Sequence, residues 1–158
     1  MLLSELLNTY NGKYQIELVA FNGEDYYAVS GQMKYIEQNR SKFNDIVLNI
    51  NIDGVGYIEG LTCISAFNLS DDMQAKLNEV IQSNPSIIIG QPWYQGDHSI
   101  FIQNGCPALA ISSDWFIRNM ESQDITHTSK DNLNIVNFER IPECVIAIKN
   151  LINALEEK

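Results

Sequence analysis

Short apolar runs rich in β-branched and aromatic residues recur along this chain, each ending at a turn-forming or polar residue. They fall at 14–21, 45–52, 62–68, Ile87–Ile89 and 107–112. Runs of that length fit strands, buried where the apolar residues are continuous as in 45–52 and Ile87–Ile89, and alternating over 62–68. Segments of helical spacing separate them. Leu2, Leu3, Leu6 and Leu7 give an amphipathic helix over 2–10, and Met33, Tyr35 and Ile36 support another over 30–39. Ser70, followed by Asp71 and Asp72, predicts an N-cap and a helix to about Gln82. A helical turn is expected over 99–104. The stripe Ile141, Cys144, Val145, Ile148, Leu151, Ile152, Leu155 predicts a closing helix over 140–155. The stretch 115–134 reads as polar and irregular. Strands alternating with helices imply an α/β fold, a three-layer α/β/α sandwich on a mixed, mostly parallel sheet, in one domain of 158 residues.

Charge narrows the partners. Ten basic against twenty acidic side chains leave a net charge of −10, which disfavours nucleic acid and anionic membrane surfaces. No run is long and apolar enough to span a bilayer. The start MLLSELL carries an acid and no basic region, so it is a poor secretion signal. A cytoplasmic location is expected if Met1 is the native start. Cys63, Cys106 and Cys144 are odd in number, widely spaced and set in apolar contexts, which predicts small buried hydrophobes rather than disulfides or a zinc ribbon.

The groups able to do chemistry cluster after the predicted strands. Run 14–21 ends in Asn22-Gly23 and then Glu24-Asp25. Run 45–52 ends in Asp53-Gly54. Asp97-His98 follows Ile87–Ile89 through QPWYQG, and His127 sits between two threonines. Singly, each has an ordinary explanation: adjacent acids in a turn are usually solvated, and an aspartate before glycine is a common turn residue. Together they form a set of carboxylates and imidazoles without a nearby thiol, which suits a hydrolytic zinc site better than a structural one.

Four segments, VAFNGED, NINIDGVG, GDHSIFIQNGCPALAIS and ITHTSKDNLNIVN, resemble in the same order the signature segments of co-catalytic zinc aminopeptidases. Relatives of that family include glutamate carboxypeptidase and glutaminyl cyclase. The resemblance runs from about Met1 to the final helix and implies peptide-bond hydrolysis at a free N-terminus, with two zinc ions. It casts Glu24 as the general base for the attacking water, Asp53 as a ligand of one zinc, and Asp25 with His127 as ligands of the other. At Asp25 the family more often has glutamate. Asp97-His98 matches a Ser-Asp-His segment with Gly96 in place of the serine, and with Tyr94 would shape the pocket rather than bind metal. An oxyanion-assisting tyrosine is to be sought among Tyr26, Tyr27, Tyr57 and Tyr94.

The same resemblance implies an upstream His-x-Asp segment that these residues lack. The chain therefore corresponds to roughly the C-terminal half of the domain, with N-terminal strands missing. One ligand for one zinc and two for the other predict weak or no metal binding by this chain alone, and no hydrolysis. A sheet short of strands predicts an unpaired edge and self-association through it. Two rivals stand beside this reading: a glutaminyl-cyclase-like acyltransferase with one zinc, and a non-catalytic interaction domain keeping the fold.

Overall fold

The structure, a computed structural model, describes residues 2–23 and 30–157. In chain order its elements are α1 (Leu2–Leu7), α2 (Ser30–Asn39), β1 (Asn49–Ile52), β2 (Thr62–Phe67), α3 (Asp71–Gln82), β3 (Ile87–Ile89), α4 (Ser99–Gln103), β4 (Ala108–Ser113), α5 (Asp114–Asn119) and α6 (Arg140–Ala154). The strands form one sheet in the order β1-β4-β2-β3. β1 runs parallel to β4 and β3 parallel to β2, while β2 and β4 are antiparallel. The sheet is mixed, with two of its three pairings parallel.

β4 is the axis. It has a ladder on both sides, and all six of its residues are buried. Its side chains alternate between faces as strand geometry requires. Leu109 and Ile111 enter the main core, with Ile64, Leu77 of α3 and Cys144, Ile148 and Leu151 of α6. Ala108 and Ala110 face the other way, against Phe67, Trp93, Ile117 and Met120. A third cluster gathers Phe43, Ile100, Phe101 and Cys106 with Phe21, Tyr35 and Ile36, and so seats α2 and α4. Helices α1, α3 and α6 cover one face and α2, α4 and α5 lie on the other. That is the three-layer α/β sandwich.

Local signals explain most elements. Ser70 caps α3, its Oγ accepting from the Met73 amide at 3.3 Å. The three cysteines are free and buried, as their apolar contexts suggested. Burial pushes the Cys63 and Cys144 thiols up to about 12, so neither offers a thiolate near neutral pH.

Three expectations are corrected. Residues 14–21 form no strand. Tyr14 is tied at one end, its hydroxyl donating to the Leu155 carbonyl at 2.9 Å, and Phe21 packs edge-on against Tyr35 at the other. Leu18 (58% exposed) and Val19 (41%) between them meet no covering layer. Among the described residues β1 is laddered to β4 alone. An apolar run becomes a strand only where a neighbour takes its backbone bonds and a layer takes its side chains. The second run begins later than predicted, at Asn49, after a 3₁₀ turn over Phe43–Asp45. The stretch after β4 opens with α5 rather than irregular chain. Ser113 Oγ accepts from the Trp115 amide at 3.2 Å, and Asp114 pairs with Arg118 one turn on. Capping and an ion pair make this helix, and no fully buried residue marks it as one. Among the described residues, no helix is long and apolar enough to cross a membrane.

Candidate functional site

Asp53 directly follows β1. Its amide donates to the Ile111 carbonyl at 3.0 Å, extending the ladder to β4, while the residue itself is exposed. Gly54 then turns the chain with φ 71°, a conformation glycine adopts without strain. A Cβ there would also stand 3.0 Å from Ser112 Oγ. A carboxylate thus stands at the carboxyl end of a strand, on backbone fixed from both sides.

Two residues earlier on the same strand, Asn51 meets His98. The imidazole is fully buried, so both ring nitrogens need protein partners. Asn51 Nδ2 lies 3.3 Å from His98 Nδ1, and His98 Nε2 lies 2.9 Å from the Trp93 carbonyl oxygen. An amide NH₂ can only donate and a carbonyl can only accept. One tautomer satisfies both: neutral imidazole with its proton on Nε2. The ring also packs against Trp93 at 4.7 Å and Phe67 at 5.5 Å between centroids. Tyr94, 63% exposed, packs on Phe67 from outside with its ring tilted 59° to it.

Asp97, the preceding residue, accepts from Gln32 Nε2 at 2.7 Å. Gln32 belongs to α2 and is buried. Gly96, in place of the resemblance's serine, has φ 105°. A Cβ there would press on the Trp93 ring at 3.3 Å and on His98 Cε1 at 3.4 Å, so this geometry calls for glycine.

His127 is exposed and takes φ 62°, the left-handed region, which costs of order 1–3 kcal/mol for a residue with a side chain. Its turn is knitted locally. Gln123 Oε1 accepts from the Ile125 and Thr126 amides at 2.8 and 3.0 Å, and Thr128 Oγ1 donates to the Ile125 carbonyl at 2.7 Å. Downstream, the segment joins the turn after β1: the Ile58 amide donates to Ile135 and the Asn137 amide to Gly56, at 2.9 and 2.6 Å. Tyr57 is buried between Trp115 and Phe116. Glu24, Asp25, Tyr26 and Tyr27 lie outside the described residues.

The structure brings Asn51, Asp97 and His98 together, with Asp53 near enough for its charge to act on His98. Among the described residues no three of His, Cys, Asp and Glu stand close enough to hold a metal ion. The donor chemistry of Asp53 and His127 fits zinc, but among the described residues the assembled donors fall short of three. Sequence reasoning missed Gln32 and Asn51. Asn51 had a faint signal, sitting one strand period before Asp53; Gln32 had none, because its partner is 65 residues away.

Burial lowers the His98 pKa below the ordinary imidazole value. The Trp93 carbonyl and the charges of Asp53 and Asp97 oppose the shift without cancelling it. The folded chain therefore binds fewer protons at this site than the unfolded chain. Its stabilising contribution is complete above about pH 6.5, the unperturbed value, and is lost as pH falls toward the lowered one. Denaturant melts between pH 7.5 and 5 should show stability falling with pH in the native protein and a shallower fall in His98→Gln. Equal slopes would contradict this.

The sequence model of Peptidase family M28 matches residues 2–152. The fold is similar to that of BSAP, a zinc aminopeptidase from Bacillus subtilis, with a TM-score of 0.78 at 16% identity, over 99% of this chain and 39% of that one. An aminopeptidase from Aneurinibacillus sp. strain AM-1 gives 0.65 at 16% identity, over 84% of this chain and 31% of that one. The LapA aminopeptidase of Legionella pneumophila gives 0.65 at 14%, over 87% and 38%. The chain thus spans well under half the length of these structures. A search of curated protein sequences gives no significant match. With its model matched over nearly the whole chain, the family is established: the chain belongs to Peptidase family M28.

Proposed function

We propose that residues 1–158 are the C-terminal part of a zinc aminopeptidase domain that hydrolyses the first peptide bond of a substrate with a free N-terminus. The observation that carries this reading is the family match over residues 2–152. Asp53, exposed at the carboxyl end of β1, supports it as a ligand of one zinc. Asp25 and His127 serve the second. Zinc, when bound, supplies a water of lowered pKa and polarises the scissile carbonyl. Glu24 takes the proton from the attacking water and delivers it to the leaving amine. One ligand on one ion and two on the other fall short of the three a catalytic zinc takes, so this span alone holds zinc weakly and hydrolyses nothing measurable.

Zinc calorimetry tests the reading. The chain alone should bind weakly. The chain joined to an upstream segment carrying His-x-Asp should bind close to two zinc ions per molecule and release amino-terminal residues from peptides. In that longer protein Glu24→Gln should lower kcat by about 10²- to 10⁴-fold at unchanged zinc stoichiometry. No zinc binding in the longer protein would overturn the peptidase reading in favour of a non-catalytic module. β1, with one ladder partner among the described residues, further suggests self-association through its second edge. Sedimentation at rising concentration should show it, and a concentration-independent monomer would contradict it.

A further inference from the structure

The one buried residue of α2 is a polar one, Gln32, 6% exposed, while its neighbour Met33 stands 58% exposed. A buried amide beside an exposed methionine is not explained by the hydrophobic effect. Its Nε2 donates to Asp97 Oδ1 at 2.7 Å, a charge-assisted bond. The next residue, His98, is bonded through Nδ1 to Asn51 of β1. Two consecutive residues of one loop therefore grip two elements that have no ladder in common.

What those elements carry gives the arrangement its meaning. The Gly31 amide, next to Gln32, donates to the Asn22 carbonyl at 3.1 Å, and a Cβ at Gly31 would lie 2.8 Å from Asn22 N and O. The chain on either side of 24–29 is thus pinched together at the start of α2, and Glu24 is two residues from that pinch. On the other element, Asp53 is two residues from Asn51. We propose that Gly96-Asp97-His98 is a brace: Asp97 holds α2 through Gln32, His98 holds β1 through Asn51, and Gln32 and His98 are positioning residues that fix Asn22 and Gly31, on either side of residues 24–29, relative to Asp53. The relevance to catalysis rests on the peptidase reading above; the brace itself does not.

A single peptide separates the two anchors, so the two bonds together couple α2 to β1 through this loop. Asn51→Leu removes the β1 grip, Gln32→Leu removes the α2 grip, and Asp97→Asn keeps an acceptor for Gln32. Amide hydrogen exchange, read by NMR on the metal-free chain, reports each grip separately. Gln32→Leu should raise exchange at the Gly31 amide about 10-fold or more and leave the Asp53 amide near its native rate. Asn51→Leu should do the reverse, and Asp97→Asn should stay close to the native rates. Unchanged exchange at Gly31 in Gln32→Leu, or a uniform rise at every amide in both leucine variants, would overturn the brace. Failure of zinc to bind the longer protein would overturn the peptidase reading and leave these rates as they are. If both hold, Gln32→Leu in the longer protein should weaken zinc binding about 10- to 100-fold, as loss of a group supporting metal ligands does.

Discussion

A buried imidazole must satisfy both of its nitrogens inside the protein, and in His98 that requirement organises one face of the molecule. Nδ1 accepts from Asn51 on β1, and Nε2 donates to the Trp93 carbonyl of its own loop. Leaving either nitrogen without a partner would cost on the order of 1–3 kcal/mol, comparable to a sizeable core truncation. The loop after β3 is therefore fastened down onto the sheet face. Trp93 and Phe67 close over the ring and exclude water from the bonds.

The sheet order makes this fastening consequential. β1 and β4 run together, whereas β2 and β3 run against them, so the two pairs end at opposite rims. Asp53 leaves the sheet at one rim. The loop after β3 lies over the face and meets β1 at Asn51, just before that rim. Asp97 extends the connection to α2, and the Gly31–Asn22 bond passes it to the residues that flank 24–29. Segments distant in sequence are thus linked through side-chain hydrogen bonds over a rigid sheet, the general way a site is held by the residues around it.

Elements with a local cause were legible in the sequence. α3 was, through Ser70 and its acidic first turn; α6 was, through its apolar stripe; β3 and β4 were, as bounded apolar runs. The run 14–21 was misread because apolar content says which residues seek cover, not whether a neighbouring strand supplies it. α5 was overlooked because it rests on a serine cap and an Asp114–Arg118 pair instead of a buried stripe. In the candidate site, Asp53 and Asp97-His98 stood out by following strand-like runs. Gln32 could not, since a glutamine on an amphipathic helix looks the same whether it meets water or a carboxylate from far along the chain. The Gly96 departure from the family pattern gained its reason only from geometry, a positive φ beside two rings.

His98 is a neutral structural link with its proton on Nε2. A long-range ¹H–¹⁵N spectrum of the imidazole at neutral pH reads this directly. The account predicts an acceptor-type shift at Nδ1 and a protonated Nε2 in slow exchange with water. A charged ring, or a proton on Nδ1, would contradict it, because Asn51 would then face a donor and the tie between the loop and β1 would not exist.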